Sequence, residues 1–288
     1  MAQNAKPLRF VKMHGCGNDY IYFDCFDQSV SDPAALSVRL SRYHFGVGAD
    51  GIILILPSSV ADAKMRIFNQ DGSEGKMCGN GIRCVGKYLY DSGRVPKEVI
   101  RVETLSGVKT LYLTVEDDKA VRLRVDMGKA ELAPARLPAA PVLCDGERVV
   151  DRPARIGGEE RRITLVSMGN PHCVLFDRKP AEVNIEREGP PFEHSELFPE
   201  GINTEFVEVL GRNHLRMRVW ERGSGETLAC GTGACASAVA GVLNGYCDKD
   251  ADITVELAGG RLTIRYTDEA VYMTGPAETV FTGEISVE

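Results

Sequence analysis

Two stretches of this 288-residue chain align without a gap. Residues 65–81 read Met-Arg-Ile-Phe-Asn-Gln-Asp-Gly-Ser-Glu-Gly-Lys-Met-Cys-Gly-Asn-Gly, and residues 217–233 read Met-Arg-Val-Trp-Glu-Arg-Gly-Ser-Gly-Glu-Thr-Leu-Ala-Cys-Gly-Thr-Gly. Matched residues stand 152 positions apart, so Cys78 corresponds to Cys230 within a shared Cys-Gly-x-Gly. Gly17-Asn18 recurs at the same spacing as Gly169-Asn170. A repeat of this length restricts the chain to two similar halves, each built by the same order of elements. At 288 residues there is room for two ordinary domains.

The pattern within each half is strand-rich. Leu215, Met217 and Val219 alternate with Arg216 and Arg218, the period-two signature of a half-buried strand. Helix-like segments follow each Cys-Gly-x-Gly, at residues 82–91 and 234–244. Strands are expected at 99–104 and 111–115 around Ser106-Gly107, and at 253–257 and 262–266 around Gly259-Gly260. A further strand in each half should end near Gly128 and near Gly275. Asp32-Pro33 supplies an N-cap and a proline at the first helical position, so a helix should run to about Arg42. The expected fold class is α+β, with two pseudo-symmetric duplicated domains of mostly antiparallel sheet. The expected halves are residues 1–127 and 128–275. Residues 280–287 alternate again, which suggests that 276–288 return to the first domain's sheet.

Composition narrows the function classes. The net charge is −7 and the Lys and Arg residues are scattered, which disfavours nucleic acid as a partner. No apolar run approaches the ~20 residues of a membrane helix, and the N-terminus reads as neither signal nor transit peptide. Nine cysteines, an odd number without Cys-x-x-Cys, read as reduced thiols of a cytoplasmic protein and argue against zinc or a disulfide framework. Cys84 and Cys235 belong to core helix positions, Cys173 to a strand and Cys16 to a turn; Cys25, Cys144 and Cys247 carry no motif.

The remaining two cysteines suggest chemistry. A helix start presents unpaired N–H groups and partial positive charge. A thiol there should ionise more easily, and the same N–H groups can hold a carboxylate. Two such thiols from two half-sites could remove a proton from one face of a carbon and deliver one to the other. That would be a racemase or epimerase needing neither metal nor organic cofactor, with its ligand in the cleft between the domains. Accessory residues differ across the repeat: Asn69 matches Glu221, Gln70 matches Arg222, Asn18 matches Asn170, Gly51 matches Asn203, Asn80 matches Thr232, and Tyr20 matches His172. One half carries mostly amides and the other a carboxylate, a guanidinium and an imidazole, which suits a substrate with a charged far end.

Several motifs together resemble the diaminopimelate epimerase family. They are Met13-His14-Gly15-x-Gly17-Asn18-Asp19, Phe68-Asn69-x-Asp71-Gly72-Ser73-Glu74, Met77-Cys78-Gly79-Asn80-Gly81, Gly169-Asn170-Pro171-His172, and Glu221-Arg222-Gly223-x-Gly225-Glu226-Thr227-x-Ala229-Cys230-Gly231-Thr232-Gly233. The resemblance spans essentially the whole chain. It implies a β-barrel-like sheet around a central helix in each half, and interconversion of LL- and meso-diaminopimelate on the route to lysine and peptidoglycan. It further implies Cys78 and Cys230 as the acid/base pair, with His172 and Glu221 near the reacting centre. Asn18, Asn69, Asn170, Asn203, Glu221 and Arg222 would hold the substrate, and Gly79, Asn80, Gly231 and Thr232 its reacting carboxylate. Dimerisation is suggested by the resemblance alone. Gly51 departs from the pattern, because many members carry glutamine there; a substrate contact is then absent or supplied by water, with Gln70 as a candidate replacement. The rival within the same chemistry is a proline or hydroxyproline racemase; a metal or redox protein and a non-catalytic binding module are the rivals outside it.

Overall fold

The structure is a computed structural model and describes residues 7–286. Residue 287, the last of the alternating C-terminal run, and residues 1–6 lie outside the described residues. The chain divides into two compact units. One runs to Val125 and resumes at Gly275; the other is Asp126–Thr274.

The first unit contains β1 (Leu8–Gly15), β2 (Asn18–Asp24), α1 (Pro33–Ser41), β3 (Gly51–Leu56), β4 (Ala63–Asn69), β5 (Glu74–Gly75), α2 (Gly79–Asp91), β6 (Val99–Thr104), β7 (Gly107–Glu116) and β8 (Lys119–Asp126). The second contains β9 (Arg152–Ile156), β10 (Glu159–Ser167), β11 (Pro171–Leu175), α3 (Ile185–Glu193), β12 (Asn203–Gly211), β13 (His214–Glu221), β14 (Gly225–Thr227), α4 (Gly231–Leu243), β15 (Asp252–Leu257), β16 (Gly260–Tyr266) and β17 (Val271–Gly275). The last strand, β18 (Glu278–Ile285), pairs antiparallel with β1 of the first unit.

Strand order is the same in both units. The first reads β18-β1-β2-β3-β4-β6-β7-β8, and the second β9-β10-β11-β12-β13-β15-β16-β17. The short β5 and β14 hang on β4 and β13. Most pairs are antiparallel, but β2–β3 and β4–β6 are parallel, as are their counterparts β11–β12 and β13–β15. The sheet is therefore mixed, which fits an α+β class. Each sheet curls about one helix: α2 packs on β1, β2, β6 and β7, and α4 on β10, β11, β12, β13, β15 and β16.

Burial on both faces explains the sequence of β3. Its unbroken apolar run, Ile52 to Leu56, shows no alternation because Ile52 and Leu54 pack toward α1 while Ile53 reaches α2. In β12, Phe206 joins the apolar cluster with Phe192 of α3, while Glu205 reaches the first turn of α4. Helix α4 is lined with small residues, Ala234, Ala236, Ala238 and Ala240, all fully buried, so strands approach it closely. In α2 the same need falls on Gly86, where a Cβ would lie 2.5 Å from Leu111. Helix α3 carries Pro190 and Pro191, and these prolines hid it from a periodicity reading. Among the described residues, no helix is long and apolar enough to cross a membrane.

Gly51 opens β3 and pairs with Asn69 at the end of β4. A Cβ on this backbone would sit 2.1 Å from the Phe68 carbonyl oxygen, so a side chain there requires the strands to shift. Gly51→Ala should therefore lower the unfolding free energy by about 1–3 kcal/mol in urea denaturation; an unchanged midpoint would show that the strands can part.

Candidate active site

Each thiol is the N-cap of its unit's central helix. Cys78 caps α2, and its Sγ accepts from Gly81 N–H at 3.3 Å. Cys230 caps α4, and its Sγ accepts from Gly233 N–H at 3.3 Å. Both helices begin at the first glycine of Cys-Gly-x-Gly, three residues earlier than periodicity indicated, because Gly, Asn and Thr carry no apolar signal. The two glycines of each motif therefore belong to the helical first turn. Each third-position glycine is packed tightly: a Cβ at Gly81 would meet Ile53 at 2.6 Å, and one at Gly233 would meet Glu205 Oε1 at 2.7 Å.

In the first unit, Cys78 is half-buried and donates from Sγ to Asn18 Oδ1 at 3.3 Å. Asn18 in turn donates from Nδ2 to Asp50 Oδ2 at 2.7 Å. Asp50 also accepts from the Asp19 N–H, yet burial and the neighbouring Asp19 carboxylate raise its pKa above the usual range. Tyr20 is buried beside this group; burial first, then the Cys78 and Asp50 charges, hold its hydroxyl well above its ordinary pKa. Asn80 is buried in the first turn of α2. Asn69 ends β4, is exposed, and donates to Ser73 Oγ at 3.0 Å. Gln70 donates to the Ala49 carbonyl at 2.7 Å, so its amide is engaged in holding the entry to β3.

The second unit gathers more charge. His172 and Glu205 are both fully buried, with Nδ1 and Oε1 2.6 Å apart. His172 Nε2 lies 3.2 Å from Asn170 Oδ1, and Asn170 Nδ2 donates to Thr232 Oγ1 at 3.3 Å. Thr232 Oγ1 is 3.4 Å from Cys230 Sγ. Glu221 ends β13 beside Cys230 and accepts from the Thr227 hydroxyl; burial pushes its carboxyl upward despite that bond. Asn203 is buried and uses both ends of its amide on backbone, donating to the Pro171 carbonyl and accepting from the Arg222 N–H. The Arg222 guanidinium is exposed and donates to the Glu200 carbonyl at 2.8 Å.

Helix position alone does not make Cys230 easy to ionise. Burial pushes its thiol well above its usual pKa, and the Glu221 and Glu205 charges add to this. The bonds from Thr232 and Gly233 pull the other way and are outweighed in the ligand-free protein.

The candidate residues thus form two clusters: Asn18, Asn69, Cys78, Gly79 and Asn80 in one unit, and Asn170, His172, Asn203, Glu221, Arg222, Cys230, Gly231 and Thr232 in the other. Asp50 and Glu205 were not among them. Glu205 was legible in principle, since the 152-residue register matches it to Ile53, a carboxylate against an isoleucine.

The profile of the family described as diaminopimelate epimerase matches residues 10–133 and 164–280. This chain belongs to the diaminopimelate epimerase family. A diaminopimelate epimerase of Acetivibrio thermocellus is 54% identical over 282 residues, covering 97% of this chain and 99% of the relative. One from Desulfovibrio desulfuricans is also 54% identical, with 97% and 99% covered. One from Methanococcus maripaludis is 50% identical, covering 97% and 100%. Solved structures agree on the fold at much lower identity. A hydroxyproline epimerase from Agrobacterium vitis superposes with a TM-score of 0.70 at 16% identity, covering 99% of this chain and 92% of that one. A Bacillus anthracis PhzF-family protein gives 0.72 at 16% identity, covering 98% and 100%.

The capping role of the thiols has a measurable consequence. A serine hydroxyl can take the same N–H bond, whereas alanine cannot. Cys78→Ala and Cys230→Ala should each be less stable than the matching serine variant by about 1 kcal/mol in chemical denaturation.

Proposed function

We propose that this chain interconverts the LL and meso isomers of 2,6-diaminopimelate by direct proton transfer at one α-carbon. The observation that carries the reading is the pair of thiols, each capping the buried central helix of its own unit, in a chain of this family. In this reading Cys78 and Cys230 work on opposite faces of the same carbon. One is thiolate when the other is thiol, and the roles exchange with direction. No organic cofactor or metal has a step to perform, because the two thiols supply both bases.

An amino-acid α-proton is very weakly acidic, so the thiolate needs help. The first-turn N–H groups at Gly79 and Asn80, and at Gly231 and Thr232, would hold the reacting carboxylate and stabilise the charge that develops on it. Exclusion of water strengthens those interactions, and closure around the substrate would complete the site. His172 and Glu221 would position the reacting centre. The distal carboxylate suits the Arg222 guanidinium, and the distal ammonium suits Glu221 and the oxygens of Asn18, Asn69, Asn170 and Asn203. For Cys230 to act as the base, substrate must offset the burial and the Glu221 and Glu205 charges that raise its pKa. The product would feed lysine and cell-wall synthesis in the cytoplasm, and a homodimer is the assembly favoured by family likeness.

The test is isotope exchange. In heavy water, the initial exchange from the meso isomer should place deuterium at its D centre only, with no response to added pyridoxal phosphate. Equal initial exchange at the L centre of the meso isomer would overturn the reading. Cys78→Ala and Cys230→Ala should each lose about a thousandfold or more in kcat; full activity in either removes that thiol from the mechanism.

A further inference from the structure

The matched asparagines of the two units are set in opposite directions. In the first unit, Asp50 takes the Asn18 amide hydrogen, which turns Asn18 Oδ1 toward Cys78, and the thiol donates to it. In the second, Asn170 turns its Oδ1 to His172 Nε2 and its Nδ2 to Thr232 Oγ1. With that oxygen already accepting, the Thr232 hydroxyl proton is available to Cys230 Sγ, which also receives the Gly233 N–H. Both sulfurs accept a first-turn N–H and both can give a hydrogen bond, Cys78 to Asn18 and Cys230 to Glu221; what Cys230 has in addition is the Thr232 hydroxyl, a second donor that favours its anion.

Glu205 lies at the head of the second chain. It stands on β12 where the first unit has Ile53 on β3, and it is fully buried. Its Oε1 meets His172 Nδ1, and its Oε2 has no hydrogen-bond partner among the described residues. A buried carboxylate in the place of an isoleucine is costly unless its charge is compensated. Both ring nitrogens of His172 face oxygens, so a proton on each would serve both contacts.

We propose that Glu205 is a positioning residue for Cys230: it keeps a proton on His172 Nε2, which orients Asn170 and Thr232 so that Cys230 Sγ becomes a hydrogen-bond acceptor. The catalytic meaning of this rests on the reading of Cys230 as one of the two bases; the chain of bonds does not.

The sign of one shift decides the matter. Within its unit the Cys230 sulfur faces Glu221 from β13, Glu205 from β12, and His172 of β11 through Asn170 and Thr232. If Glu205 acted on Cys230 only as a nearby negative charge, removing it would ease ionisation. If it acts through the chain, removing it takes away the Nδ1 contact that fixes the His172 ring and its protons, the Asn170 and Thr232 bonds lose their direction, and the Thr232 proton is drawn away from sulfur. Ionisation then becomes harder.

The experiment follows the pH dependence of iodoacetamide alkylation at Cys230 and at Cys78, read by peptide mass spectrometry on the purified full chain. Glu205→Gln keeps the shape and should raise the Cys230 midpoint by about one pH unit, the order of one charge-assisted hydrogen bond. The Cys78 midpoint should stay in place. Thr232→Val should give a similar rise, and the double variant no further one, because both remove the same bond. A Cys230 midpoint that falls or stays put in Glu205→Gln, or shifts that add in the double variant, would overturn the proposal. If Glu205→Gln does not fold, the nitrogen-15 spectrum of histidine-labelled unmodified protein decides: His172 Nε2 should carry a proton at neutral pH, and a bare Nε2 overturns the proposal. Turnover is read separately by isotope exchange in heavy water, so failure of either idea leaves the other to stand on its own result.

Discussion

The bond from a first-turn N–H to a cysteine sulfur is the interaction on which both halves of the site depend. It fixes the thiol at the end of a helix that is itself enclosed by its sheet. The sulfur therefore cannot move without unseating the helix start, and the first-turn N–H groups are held at a set distance from it. Cys here takes the N-cap role usual for Ser or Asp, at a position that the fold already needs.

The same frame accounts for how the two half-sites differ. Strand order and helix start match across the repeat, so the differences around the thiols arise by substitution at matched places. Ile53 against Glu205 and Tyr20 against His172 exchange an apolar-phenolic pair for an ionisable one under the first turn of the helix. The phenol and the thiol of the first unit sit beside Asp50, whereas the second unit spreads its proton bonds from Glu205 to Cys230 through three side chains, His172, Asn170 and Thr232. Equal backbones thus carry unequal electrostatics.

Much of this was legible in the residues, and the failures have definite causes. The repeat revealed the duplicated order of elements because the matched positions from Gly17 to Gly81 keep one constant spacing to their counterparts, Gly169 to Gly233. Alternation located the half-buried strands, such as β13, and the Asp32-Pro33 signal located α1. Parallel pairing was not visible, since hydrogen-bond direction leaves no mark on side-chain period. Helix starts were read three residues late, because glycine, asparagine and threonine hide the first turn. At Gly51 the sequence did not show how closely the backbone approaches the Phe68 carbonyl, since that distance depends on the pairing of β3 with β4. The ease of ionisation expected for a helix-capping thiol did not extend to Cys230, because burial depth and carboxylate neighbours come from distant segments.

The placement of β18 bears on how such a chain is made. In the second unit, the strand that pairs outside β10 is β9, which immediately precedes it, so all its strands lie in one continuous stretch of sequence. In the first unit the corresponding partner of β1 is β18, the most distal strand of all. During vectorial synthesis the second unit can complete its sheet as soon as β17 leaves the ribosome. The first unit, although translated earlier, keeps the outer edge of β1 open until β18 arrives. Synthesis order and completion order are thereby reversed, and the half bearing Cys78 is the last to be sealed.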